Sequence, residues 1–384
     1  MTNFEPSDEF VPRRVNFGGN LAPGDVVGRD EEIAKIRGQL ERTSVLLTGE
    51  RRLGKTSVAR VIHAEHPRSI LLDAEGQTEV GLIDTMIRRL QEGWGGGAAS
   101  KIRLSWELQA GPLRLAPEDR PRLLDDIVTT ALEVGGGSML IMVDELPWFA
   151  RDAELREPGS GIRLLATLRR LRQTNLGLRM LLLGSRGFHH AGPAAEDAVN
   201  DVFKHRLKPL SEANATELAG SLLTGEEIAC TGARKVATTV ARAAEGYPYY
   251  IQGIVERMRL GPAPEPGFAP ADIDRVIAEA IRDPDDPWSM RKYIDRVGVM
   301  YGEAAPLAYA VLDALAAAEE KIGLDDLERT LSLSPQLAPV SRTSLVSVAR
   351  RLESDYYLLA DGPGDRFTTG LLRRAWRLHR LGIE

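Results

Sequence analysis

The sequence predicts an α/β fold, a parallel sheet with helices on both faces, which gives way to an all-helical region and a compact tail. Three observations carry this. Short apolar runs recur at Ser44–Thr48 (SVLLT), Ser69–Asp73 (SILLD), Met139–Asp144 (MLIMVD) and Met180–Gly184 (MLLLG), each too continuous to alternate between core and water. Helix-compatible segments separate them, the rhythm of strands joined by crossovers. From Ser211 to Arg259 the strand-like runs stop and only helical pattern remains.

The elements follow in order. Residues 1–24, with prolines and a Gly-Gly pair, read as an extended lead-in. A helix is expected from about Asp30 to Glu41, before the first strand, and another from Lys55 to about Glu65. The next, Val80–Gln91, places Leu82, Met86 and Leu90 on one face. Residues 93–115 differ: the run Gly95-Gly96-Gly97, then alternating Ile102, Leu104, Trp106 and Leu108, then Gly111-Pro112. They read as a β-hairpin inserted into the α/β domain. Helices follow at about Pro117–Val134 and at Ile162–Gln173, the latter Arg-rich on its outer face. Gly261–Pro270 (GPAPEPGFAP) reads as the clearest linker, since its prolines forbid helix.

The tail, 300–384, has its own order. Leu307–Ala318 and Leu324–Leu331 are helical. Ser341–Glu353 opens on an N-capping Ser341, with Leu345, Val348 and Leu352 as its buried stripe. Tyr356–Ala360 and Arg366–Thr369 flank a turn, and a basic helix closes the chain at Leu371–Leu381. Helix, helix, helix, hairpin is the order of a winged helix, whose third helix would be the recognition helix. Residues 341–384 hold eight Arg against five acidic groups, a mild excess that leaves double-stranded DNA and a protein partner both open. The expected domains are therefore 1–24, 25–210, 211–299 and 300–384.

Composition narrows the function. Apolar residues make up 43% of the 384 and charged residues 27%, ordinary for a globular chain. A net charge of −6 excludes a global field for nucleic acid. A single cysteine, Cys230, excludes an internal disulfide and points to a reducing, cytoplasmic setting. No apolar run is long enough for a membrane span, and Met1–Val15 has no apolar signal core.

Three signals carry chemistry. Gly49-Glu50-Arg51-Arg52-Leu53-Gly54-Lys55-Thr56 matches G-x-x-x-x-G-K-[ST], the phosphate-binding loop, after an apolar strand and before a helix. Its glycines let the backbone turn around a phosphate, and the amides and helix N-terminus face the anion. The cofactor-binding set runs from Gly49 through Ser57. Lys55 reaches the β- and γ-phosphates, and Thr56 ligates Mg²⁺. Secondly, the strand Met139–Asp144 ends in Asp144-Glu145, placing two carboxylates at the sheet edge where ligands bind. Asp144 is expected to hold Mg²⁺, and Glu145 to orient or deprotonate the attacking water. Thirdly, the fourth strand ends in Gly184-Ser185-Arg186. Arg186 is favoured as the group that reads the γ-phosphate, with Ser185 as the smaller alternative.

These signals, in this order, resemble the AAA+/STAND group of P-loop ATPases, and most closely its archaeal-type ATPases. Val27-Gly28-Arg29-Asp30 is similar to the box that opens such domains, and Gly246-Tyr247-Pro248 to the G-x-P element of STAND lids. The resemblance covers roughly residues 25–260. It implies ATP rather than another triphosphate, Mg²⁺, hydrolysis coupled to a conformational switch, a helical lid over 211–299, and Gly28, Arg29, Tyr247 and Pro248 near the base. A nucleotide-dependent homo-oligomer stays open. The sequence departs from the AAA+ pattern in lacking a clear Gly-x-x-Arg second sensor. Arg206 is a candidate arginine finger, as are Arg169, Arg170 and Arg172, which an exposed helix face explains equally well. A DNA-binding regulator with structural nucleotide, and an ADP-holding signalling scaffold, are the alternatives.

Overall fold

Five parallel strands form one sheet in the order β2-β3-β4-β1-β5. A computed structural model describes residues 10–94, 120–134, 136–185, 187–319, 321–332, 340–361 and 364–383. The strands are β1 (Val45–Thr48), β2 (Ser69–Asp73), β3 (Met139–Asp144), β4 (Leu178–Gly184) and β5 (Phe203–Arg206). The first four are the apolar runs expected. β5 is not: its residues, FKHR, are mostly exposed. It pairs with β1 alone, Thr48 level with Arg206, so it is an edge strand with one covered flank. An edge strand tolerates charge where a central strand does not, which hides it from a search for apolar runs.

The α/β unit spans Leu21–Lys208. Its helices are α1 (Asp30–Leu40), α2 (Lys55–Glu65), α3 (Glu79–Trp94), α4 (Arg120–Val134), α5 (Leu146–Arg156), α6 (Ser160–Thr174) and the short α7 (Pro193–Asp197). Each buries one stripe. In α6, Leu164, Leu165, Leu168 and Leu171 recur at helical spacing and are all buried. They join Leu82 and Met86 of α3, Leu124 and Val128 of α4, and Ile70, Ile141 and Leu182 of the sheet in one core. Each such side chain contributes about 1.5–3 kcal/mol. Helix α5 has no counterpart among the sequence expectations. It follows Asp144-Glu145 directly, with Pro147 in its first turn, where a missing N–H costs nothing. Gly93 and Trp94 close α3 as helix; the rest of the hairpin expected at 93–115 lies outside the described residues.

The strand ends are level. Asp73 pairs with Asp144, and Thr48 with both Gly184 and Arg206. The carboxyl edge therefore gathers the loop after β1, the acidic pair after β3 and Ser185 after β4.

The second unit comprises Met1–Asn20 and Pro209–Glu384. The unit boundary falls at 208/209, two residues before the expected 210. Helices α8 (Glu212–Gly225), α9 (Ala233–Ala243), α10 (Pro248–Leu260), α11 (Asp272–Arg282) and α12 (Arg291–Tyr301) precede α13 (Ala305–Ala317), α14 (Leu324–Ser332) and α15 (Arg342–Ser354). The antiparallel strands β6 (Leu358–Asp361) and β7 (Gly364–Phe367) and the helix α16 (Gly370–Trp376) close the chain, the last turning π-helical over Arg377–Leu381. Ser341 caps α15, accepting from Ser344 N at 3.1 Å, with Leu345, Val348 and Leu352 buried as expected.

Two segments read as loose are fastened within this unit. Along residues 10–20, Arg13 N donates to Ser221 O at 2.9 Å, Val15 N to the Glu226 carboxylate at 2.8 Å, and Asn16 N to Gln252 Oε1 at 2.9 Å. The lead-in is a strap on the helices. In the segment 261–270, Phe268 is buried and exchanges backbone bonds with Ala229 O and Thr231 N, both at 2.8 Å. Proline content signals the loss of helix there, and the buried aromatic decides where the segment sits.

Candidate functional site

The loop after β1 is built by its backbone. Gly49 has φ +144°, and a Cβ there would lie 2.8 Å from the Leu207 carbonyl. Gly54, at φ +89°, is the left-handed residue before α2. Only glycine takes both positions without strain. The turn brings Lys55 back into the loop, where its buried Nζ donates to Gly49 O and Glu50 O, both at 2.8 Å. Burial lowers the Lys55 pKa to about 8, against the opposing pull of Glu145 and Asp144. The loop thus holds a cation against two of its own carbonyls, at the N-terminus of α2.

Asp144 meets this loop directly. Thr56 Oγ1 donates to Asp144 Oδ2 at 2.5 Å, and Glu145 N donates to Asp144 Oδ1 at 2.9 Å. Burial raises the Asp144 pKa, as does neighbouring Glu145; the Thr56 bond opposes both. The sequence expectation paired Thr56 and Asp144 across 88 residues, and the structure brings them together. A hydroxyl and a carboxylate oxygen form a hard-oxygen donor set, which suits Mg²⁺. A cation there would also relieve the crowding of Asp144 against Glu145. The residues therefore fit the metal that the resemblance implies.

Glu145 sits at φ +50°, a left-handed conformation that glycine takes freely and a glutamate rarely adopts, as the strand turns into α5. Its carboxylate faces Ser185: the hydroxyl lies 2.8 Å from Oε1 and 2.9 Å from Oε2. Ser185, the smaller of the two alternatives after β4, is thus in the site and buried. Arg186 lies outside the described residues.

Sequence reasoning placed Arg51 in the phosphate loop without a role for its side chain, and missed Glu75. Arg51 Nε donates to Ser185 Oγ at 3.3 Å, and its Nη2 pairs with Glu75 at 3.6 Å. Arg51 occupies a variable position of the loop motif, so no pattern marks its side chain. Glu75 could have been found: it follows β2, and the level ends of β2 and β3 put it on the carboxyl edge.

Arg29 is buried and donates to Leu53 O at 2.9 Å and to Lys208 O at 2.8 Å, with Glu32 at 3.3 Å. Burial depresses its pKa, partly offset by Glu32. Its guanidinium therefore clamps the phosphate loop to the segment after β5. Gly28, φ +69°, turns the chain into α1 just before it. Tyr247 and Pro248 belong to the other unit, where Tyr247 is buried and Pro248 opens α10. There Gly246 O accepts from Leu210 N at 2.9 Å.

The finger candidates divide. Arg172 donates to Ala198 O at 2.8 Å and to Asp201 at 2.9 Å, Arg169 to Asp197 O at 2.9 Å, and Arg170 pairs with Asp125 at 2.5 Å. These three support their own domain. Arg206 is exposed at the end of β5.

No family model matches the chain, and no curated protein matches it. Solved structures do. A Walker-type ATPase of Pyrococcus abyssi aligns with a TM-score of 0.66 at 18% identity, over 96% of this chain and 99% of that one. This chain has a P-loop ATPase fold. The ORC2 protein of Aeropyrum pernix, solved as ADPNP–ADP complexes, aligns with a TM-score of 0.52 at 13% identity, over 96% of this chain and 94% of that one. Both likenesses run through the P-loop sheet and the helical unit alike. Among the described residues, no helix is long and apolar enough to cross a membrane.

Proposed function

We propose that this chain binds ATP with Mg²⁺ at Gly49–Ser57 and hydrolyses it, using the γ-phosphate to switch between two conformations. The observation that carries the reading is the 2.5 Å bond from Thr56 to Asp144, which sets the hydroxyl of the loop against the carboxylate of β3. When bound, Mg²⁺ supplies neutralisation of the phosphate oxygens. Lys55 binds the β- and γ-oxygens, exchanging its carbonyl partners for stronger anionic ones. Glu145, beside Asp144, orients the attacking water and accepts its proton at a carboxylate oxygen. Ser185 steadies that carboxylate. Phosphoryl transfer asks a protein mainly for position and charge, and these residues supply both. The adenine preference and the part of Tyr247 and Pro248 in it rest on the family resemblance, as does a nucleotide-dependent homo-oligomer.

The test is multiple-turnover phosphate release from ATP with and without Mg²⁺, beside calorimetric binding of ATP and ADP. Binding without turnover would replace the enzyme by an ADP-holding scaffold. The absence of heat with any nucleoside triphosphate would end the reading.

For residues 300–384 we propose a winged helix that contacts protein rather than duplex DNA. Arg342, at the start of its third helix, pairs with Asp325 at 2.7 Å and Glu328 at 2.6 Å. Arg374 pairs with Asp274 and Arg380 with Asp313, while Arg373 and Arg377 donate to Ala316 O. A phosphate footprint needs cations to spare, and these are already engaged. A salt-dependent shift of a DNA duplex by the full chain would reverse this choice.

A further inference from the structure

We infer that Arg51 is a positioning residue for water activation: acting through Ser185, it fixes the Glu145 carboxylate and so ties the phosphate loop to the base. The inference rests on the ATPase reading and adds to it a residue that the loop motif leaves unassigned.

The argument is one of hydrogens. A guanidinium only donates and an ionised carboxylate only accepts, whereas a serine hydroxyl has a single hydrogen to give. Arg51 Nε lies 3.3 Å from Ser185 Oγ and can only donate to it. Ser185 must then direct its own hydrogen elsewhere, and Glu145 is there at 2.8 and 2.9 Å. The polarity runs one way, from guanidinium to hydroxyl to carboxylate. Ser185 alone could rotate its hydrogen; Arg51 removes that choice. Among the described residues, Ser185 is the one side chain that hydrogen-bonds the Glu145 carboxylate. Behind Arg51, Glu75 holds the guanidinium at 3.6 Å.

The backbone makes the tether matter. Glu145 is a left-handed residue between β3 and α5, so its side chain leaves the strand on a strained turn that neighbours must hold in place. Arg51, in turn, lies within the loop that wraps the phosphates. A displacement of that loop is therefore passed to the base through one hydroxyl.

The experiment is steady-state ATPase kinetics with nucleotide binding measured separately. Arg51→Ala is expected to lower kcat about tenfold, the scale of one net hydrogen bond, with the Kd for ATP changed by less than about threefold. Arg51→Gln supplies the discriminating arm. Counting along the side chain, Gln Nε2 stands where Arg Nε stands, so it restores the N–H to Ser185 without the charge. It is expected to recover kcat to within about threefold of wild type. The double variant Arg51→Ala/Ser185→Ala is expected to turn over no more slowly than Ser185→Ala, since the two act in series. Additive losses in the double variant, a Gln variant as slow as Ala, or a Kd that rises as far as kcat falls would each show Arg51 acting on phosphate by charge and overturn the inference. An active wild type with an unimpaired Arg51→Ala sinks this inference alone. A wild type without turnover sinks the ATPase reading and this inference with it.

Discussion

The carboxyl edge of the sheet and the C-terminal tail both concentrate charge, and they use it in opposite ways. In the tail, Arg342, Arg373, Arg374, Arg377 and Arg380 are satisfied. Arg380 Nε and Trp376 Nε1 converge on Asp313 Oδ1 at 2.7 and 2.8 Å, and Arg373 caps the carbonyl end of α13 through Ala316 O and Ala318 O. The charges are paired by partners that match them, and they hold helices together. At the sheet edge the charges are crowded. Lys55 and Asp144 are buried with half-buried Glu145 beside them, burial disfavours the ionised Lys55 and Asp144, and Glu145 adopts a strained backbone. Charge that stabilises a fold is matched; charge left in tension is arranged for something that arrives.

Substitutions can break or sharpen that contrast. The largest effect is expected at Lys55: Lys55→Ala removes the cation the phosphates need, and calorimetry should show ATP binding lost by at least about a hundredfold while the protein stays folded, since its ammonium is a burden in the unliganded chain. Glu145→Gln comes next. It keeps the shape of the site and loses the base, so ATP should bind within about threefold of wild type while phosphate release falls about a hundredfold or more. Normal turnover would move the base elsewhere.

A third change moves to the tail. Asp313→Ala strands the N–H of the fully buried Trp376, and denaturant unfolding should show a loss of about 2 kcal/mol with the ATP Kd unaltered. A nucleotide effect there would mean that the tail's charges are not merely structural. Fourth, the pH dependence of binding follows from the lowered Lys55 pKa. The folded ammonium loses its proton as pH rises through about 8, yet the phosphates require it charged, so binding must take up a proton above that pH. The Kd should rise about fivefold between pH 8 and pH 9, and Lys55→Arg should abolish the slope. The smallest effect is expected at the exposed pair Arg374–Asp274, where Arg374→Ala should cost less than about 1 kcal/mol and shrink further in salt.

The parts of the site legible in advance were those whose chemistry demands a residue type at a fixed spacing. Gly49, Gly54, Lys55 and Thr56 are such a set, and the apolar run before Asp144 announces a strand that ends in carboxylates. The tail's third helix was legible because Ser341 and the Leu345, Val348, Leu352 stripe obey local rules. Charged β5 obeys none, for an edge strand is defined by its neighbour β1. Helix α5 was hidden because it starts without a loop, straight from Glu145. Arg29 was singled out by resemblance near the base; its guanidinium is found on the carbonyls of Leu53 and Lys208, partners 24 and 179 residues away.

By itself the sequence determined the phosphate loop, the central strands and the acidic pair, because backbone sterics and solvation act on neighbours in the chain. Tertiary structure alone decided that Thr56 meets Asp144, that Ser185 faces Glu145, and that Arg51 and Arg29 turn inward. Hydrogen bonds between distant residues depend on strand order and register, and these are settled only when the whole sheet has formed.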